Sequence, residues 1–167
     1  DDEWAAACAG IESCVEHTEN ISHLNMAPQR IREVIDCVQR TVGSPEAADA
    51  LAEELLVSWR GTRFGEPLET VDGAWLLVGT GRADELKAVV EASGLRTPWL
   101  DAARQIASGD YVAAAETYSE MGSVPHEAYA RLRAGTEAQL RIALPVFTQL
   151  GATAWQAEAE SLLAKSA

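Results

Sequence analysis

Apolar residues recur every three or four positions along most of this chain, and glycines interrupt them at near-regular intervals. Residues 3–17 place Trp4, Ala7, Cys8, Ile11 and Val15 on one helical face. After a polar stretch over 18–27, Pro28 opens a helix with Ile31, Val34, Ile35, Val38 and Val42 in register, stopped by Gly43. Ser44-Pro45-Glu46 is a start signal for a third helix, because Ser44 can cap it and Pro45 needs no hydrogen-bond donor there. Its stripe is Ala48, Leu51, Ala52, Leu55 and Trp59. The run Gly61-Thr62-Arg63-Phe64-Gly65-Glu66-Pro67 predicts a joint.

Beyond the joint the elements become shorter and more even. Val71, Ala74, Trp75 and Val78 mark a helix ended by Gly79-Thr80-Gly81, and Leu86, Val89 and Val90 mark one ended by Gly94. Thr97-Pro98 opens the next, with Leu100, Ala103, Ile106 and Ala107 inward; Tyr111, Ala114, Ala115 and Tyr118 then lead to Gly122. Pro125 starts a helix with Ala128, Tyr129 and Leu132 that ends near Gly135. Thr136, with Gln139 three residues on, fits a capping box. The helix it would open carries Leu140, Ala143, Leu144, Phe147 and Leu150, and Pro145 inside it predicts a kink, since proline cannot donate to the carbonyl of Arg141. Trp155, Ala159, Leu162 and Leu163 mark the last helix.

The stop glycines expose a repeat. Gly94, Gly122 and Gly151 are 28 and 29 residues apart, and at matching offsets stand Leu86, Ala114 and Ala143, then Val90, Tyr118 and Phe147; Gly81 likewise matches Gly109. Two helices per unit of this length is the pattern of an α-solenoid, in which each hairpin buries its face only against the next. The expected fold is therefore all-α, an array of stacked antiparallel hairpins with about ten helices. Residues 1–68 would form its N-terminal helices and residues 69–167 its repeats, in one continuous domain.

The stretch GDYVAAAETYSEMGSVP, residues 109–125, resembles the second helix of a tetratricopeptide repeat: a glycine, an acidic residue and an aromatic, then alanines, an aromatic and a proline. The first helix departs from that family, with Ala102 where a glycine is usual, and the unit is shorter. Residues 70–165, including VDGAWLLVGTGRADELKAVV, ETYSEMGSVPHEAYARLRAG and LPVFTQLGATAWQAEAESLL, resemble the helical C-terminal region of large bacterial, actinobacterial-type signalling proteins. These are of the adenylate-cyclase-like and LuxR-type ATPase regulator kinds. The resemblance implies a regulatory or partner-binding array with no catalytic residues to carry over.

Charge narrows the partners. With 26 carboxylates against 13 Lys and Arg, a net charge of −13 repels phosphate backbones and anionic membranes. No apolar run approaches the roughly 20 residues that span a bilayer. Three cysteines without paired spacing argue against a disulfide framework and for a reducing cytoplasm. The acidic start, Asp1-Asp2-Glu3, lacks both a Met and a signal peptide, which reads as a fragment of a longer protein.

Candidate chemistry is sparse. Cys8, Cys14, His17, His23 and Cys37 cluster early, but their spacing matches no closed zinc pattern, and Cys8 falls on an apolar stripe. Gly79-Thr80-Gly81 lacks the strand and the lysine of a phosphate loop. Glu53-Glu54 and Asp84-Glu85 diverge by about 100° on a helix and read as solvated faces. His126, in a first turn, reads as a surface residue. The tryptophans read as packing between hairpins, except Trp99, whose first-turn position suits a partner anchor, with Asp101 and Gln105 pointing the same way.

The expected role is a non-catalytic interaction and regulatory module of a larger cytoplasmic signalling or transcription-control protein. It would need no cofactor or metal, and it would bind a protein segment or upstream domains of its own chain. Self-association through an end hairpin is the other expected contact. The alternative is a small-molecule or metal sensor built on the N-terminal Cys/His cluster.

Overall fold

The computed structural model describes residues 45–61 and 67–166. By packing, the chain divides into two compact units, Asp1–Ala48 and Asp49–Ala167. The second holds nearly all the described residues, and every contact given below lies within it. Eight helices and no strand occur among the described residues: α1 Pro45–Gly61, α2 Pro67–Gly79, α3 Ala83–Ala92, α4 Pro98–Ala107, α5 Tyr111–Glu120, α6 Val124–Ala134, α7 Glu137–Leu150 and α8 Thr153–Ser166. The two helices expected over 3–17 and 28–42, the cap Ser44 and most of the expected joint fall outside the described residues.

Local chemistry explains where these helices begin. Thr97 caps α4, its side chain accepting from Leu100 N–H at 3.2 Å, with Pro98 in the first turn. Asp110 caps α5 by accepting from Ala113 N–H at 3.1 Å. The capping box expected at Thr136 does not form: Thr136 is the cap residue of α7, but its side chain takes no cap hydrogen bond. Gln139 instead accepts from Arg131 of α6, so a tertiary partner displaces the local one. α6 begins at Val124, one residue before the expected Pro125. α7 runs through Pro145 to Leu150.

Helix ends show one geometry four times over. After α5, Ser123 N–H donates to the Tyr118 carbonyl at 2.9 Å and Gly122 N–H to Ser119 at 3.0 Å. The same two bonds close α2 (Arg82 to Leu77, Gly81 to Val78), α4 (Asp110 to Gln105, Gly109 to Ile106) and α7 (Ala152 to Phe147, Gly151 to Thr148). This pairing needs a left-handed residue after the last turn, and Gly122 supplies it with φ at 71°, where a Cβ would be strained. α3 stops differently: Gly94 also has positive φ, but Leu95 N–H turns to the Ser93 hydroxyl.

From α2 onward each helix packs on the next, and α2 also meets α4 and α6 meets α8. The six positions matched by the repeat, Leu86, Ala114, Ala143, Val90, Tyr118 and Phe147, are all fully buried. Their neighbours fall into two apolar clusters, one from α1 to α6 and one from α6 to α8. α6 belongs to both because Ala128 and Leu132 share one face, one turn apart, while Ala130 lies opposite.

α1 and α2 meet closely at Gly73. A Cβ on Gly73 would stand 2.6 Å from Leu55 Cδ2 and 2.6 Å from Trp59 Cη2 of α1. Trp59 is itself buried at 4% exposure, so the ring has little room to move. Charge reinforces the region: Arg82, before α3, binds Asp49 at 2.8 Å and Glu53 at 2.5 Å, and Arg60 binds Glu85 at 2.6 Å. The two carboxylates, Glu53 most, hold the Arg82 guanidinium still more firmly protonated. Gly73→Val should therefore lower stability by about 2–3 kcal/mol through overpacking, read as a fall in the urea midpoint. Gly79→Ala, where a Cβ meets nothing within 4 Å, should leave that midpoint unchanged or slightly raised.

Candidate functional site

The aromatics of the second unit meet one another across helices. Trp75 of α2 lies 5.5 Å from Tyr111 of α5 and 5.0 Å, edge-on, from Tyr129 of α6. Tyr129 continues to Trp155 of α8 at 4.9 Å, and Trp155 to Phe147 of α7 at 5.6 Å. A second group joins Trp99 of α4, Tyr118 of α5 and His126 of α6, with centroids 5.5 to 6.2 Å apart. Each of these contacts adds a modest packing term beyond the area it buries.

One carboxylate shares α2 with Trp75. Asp72 is one turn before Trp75 on α2 and is the only charged residue between Val71 and Gly79. Its surface remains exposed, yet the surrounding protein strips enough hydration from it to raise the carboxyl to about 6. Its charge reaches Tyr118 and Tyr129, helping to raise both hydroxyls beyond what burial alone does. Among the described residues no basic side chain pairs with it. Two buried polar atoms nearby, Trp75 Nε1 and the Tyr118 hydroxyl, have no protein hydrogen-bond partner. Tyr118 is fully buried. Both atoms are closed to solvent, so of these groups only the Asp72 carboxylate faces water.

The residues nominated from sequence are otherwise placed. Trp99 is half-buried in the Tyr118–His126 group. Asp101 pairs with Arg104 at 2.5 Å, and Arg104 also donates to the Leu95 carbonyl at 2.9 Å. Gln105 accepts from the Thr117 hydroxyl at 2.9 Å, tying α4 to α5. None of the three lies among the groups around Asp72 named above. His126 is half-buried rather than fully exposed: it packs on Trp99 and Tyr118, shares a 2.7 Å hydrogen bond between Nδ1 and Ser123 Oγ, and burial lowers it to about 4. Of the acidic pairs, Glu53 and Glu85 are engaged by Arg82 and Arg60. Cys8, Cys14, His17, His23 and Cys37 lie outside the described residues. Among the described residues no group of three or more His, Cys, Asp or Glu is placed to hold a metal ion.

Sequence reasoning passed over Asp72 because it stands next to Val71, on the edge of the stripe used to place α2. The signal was there: a single carboxylate in an otherwise apolar turn and a half, one turn from a tryptophan. No protein-family model matches the chain, and neither a curated protein nor a solved structure does so.

The shifts of Asp72 and His126 act on stability with opposite sign. His126 titrates near 6.5 unfolded and near 4 folded, so the unfolded chain takes up a proton that the fold refuses; stability falls as pH drops from 6.5 towards 4. Asp72 titrates near 3.8 unfolded and near 6 folded, so the fold takes up its proton first; stability rises as pH drops from 6 towards 3.8. Urea midpoints between pH 4.5 and 7.5 separate them. Asp72→Asn should steepen the acid-side loss, and His126→Phe should remove a loss of up to ~3 kcal/mol. Tyr118→Phe, which deletes an unmatched buried hydroxyl, should be neutral or stabilising by about 1 kcal/mol.

Proposed function

We propose that these helices form a tetratricopeptide-like α-solenoid that serves as a non-catalytic interaction module of a larger cytoplasmic signalling or transcription-control protein, binding a protein segment or upstream domains of its own chain. The observation that carries this reading is the recurrence of one helix-end geometry together with buried positions 28 and 29 residues apart. Sequential packing from α2 to α8 supports it, since units that contact chiefly their neighbours extend a surface rather than closing a globule. The tetratricopeptide-like stretch from Gly109 to Pro125 supports it from sequence. No helix among the described residues is long and apolar enough to cross a membrane.

Immobilised chain should capture either an upstream domain of the parent protein or a separate protein at a stoichiometric ratio, identified by mass spectrometry and reproduced with purified components. Failure of both purified upstream domains and a peptide array to bind would remove this reading.

A further inference from the structure

We propose that α8 is a detachable strap: it leaves α6 and α7 while the rest of the array stays folded, and the bound protein segment takes the seat it vacates. The segment docks there as a helix carrying an aromatic residue, a carboxylate three positions on and a small residue next to that. The docking rests on the interaction reading above and names the chemistry of the partner; the detachment stands without it.

α8 is the least anchored of the described helices. Of its 14 residues only Ala159 is fully buried, whereas α4 and α5, at ten residues each, bury four and three. Trp155, Gln156, Leu162 and Leu163 are half-buried, and the rest of the helix faces water. Alanine removes little apolar surface from water, so α8 is held mainly by side chains that are only partly covered. The large buried side chains of its cluster, Leu132, Leu140 and Phe147, all belong to α6 and α7. Those two helices pack on each other, so α8 can lift away without parting them. Elements held in this way open locally at a lower free energy than the fold as a whole.

The seat shows by its present occupant what it takes. α8 lays Trp155 on Tyr129 of α6 at 4.9 Å and on Phe147 of α7 at 5.6 Å, buries Ala159 in the same cluster, and sets Glu158 on Arg133 of α6. Arg133 stands 5.2 Å from the centroid of the Tyr129 ring, so cation and ring form one surface. Among the described residues Glu158 is the one carboxylate that pairs with Arg133. When α8 leaves, two ring faces and a guanidinium without its counter-charge open to water together. Positions 155, 158 and 159 lie on one helix face, so a helix repeating that pattern restores each of these contacts. A segment with a basic residue at the place of Glu158 meets a like charge instead.

The test uses the 167-residue chain and a fluorescein-labelled peptide of the α8 sequence, residues 153–166, blocked at both ends. In amide hydrogen exchange the protected amides of α8 should exchange as a group, at least about tenfold faster than those of α4 and α5 and with little response to low urea. The peptide should bind the Trp155→Ala chain at least about tenfold more tightly than the parent chain, whose own strap competes for the seat. Glu158→Gln, at an exposed position that leaves the fold intact, should tighten binding at least about threefold. Adding Arg133→Gln to Trp155→Ala should weaken it at least about fivefold. A peptide carrying both Trp155→Ala and Glu158→Gln should not bind. Exchange of α8 at the rate of α4 and α5, equal peptide binding by the parent and Glu158→Gln chains, or undiminished binding after Arg133→Gln or by the substituted peptide would each overturn the proposal. Dimerisation of the Glu158→Gln chain through exchanged α8 helices, seen by size-exclusion chromatography, would make a second copy the occupant and overturn it as well. A partner captured no better by Glu158→Gln than by the parent chain would overturn the docking site while leaving the interaction reading intact.

Discussion

A ten-residue helix does not hold its shape in water, and α3, α4 and α5 are each ten residues long. Each must find a neighbour within a few residues of its own end. The pair of hydrogen bonds that closes α2, α4, α5 and α7 meets this constraint, because it satisfies the last carbonyls and reverses the chain in the same step. After α2, α4 and α7 the residue beyond the left-handed glycine, Arg82, Asp110 or Ala152, already accepts the first bond of the next helix. With reversals this tight, small residues such as Ala114 and Ala143 fill the close contacts, and large ones such as Tyr118 and Phe147 reach into the next pair.

What was legible in the sequence is what depends on residues a few positions apart. The stop glycines, the Thr97-Pro98 start and the buried repeat positions all belong to that class. What was not legible is where a distant group competes for a local one. Thr136 and Gln139 have the spacing of a capping box, but Arg131 is a charged donor and takes Gln139, a stronger bond than an exposed backbone N–H provides. His126 has a first-turn position typical of the surface, but Trp99 and Tyr118 arrive from two other helices and bury it. No spacing within α6 encodes their arrival.

Asp72 belongs to the same class, and its placement has a structural origin. Gly73, the next residue, is the point where α1 sits hardest on α2, with Trp59 and Leu55 against the bare backbone. Neighbours on a helix point about 100° apart. The contact that pins this turn of α2 against α1 therefore turns Asp72 away from α1, beside Trp75 and within reach of the charge-sensitive hydroxyls of Tyr118 and Tyr129. A methyl group at position 73 would loosen that turn and, with it, the direction in which the carboxylate is presented.

A carboxylate in that position works against the stability of the fold at neutral pH, since its charge is less well hydrated there than in the unfolded chain. Arg82 shows that this protein can match carboxylates closely, holding both Asp49 and Glu53 of α1, and Arg133 shows that it can do so against a ring. Asp72 receives neither treatment from the described residues, although the next residue, Gly73, packs closely on α1. Rigid placement of an uncompensated charge fixes its direction without neutralising it.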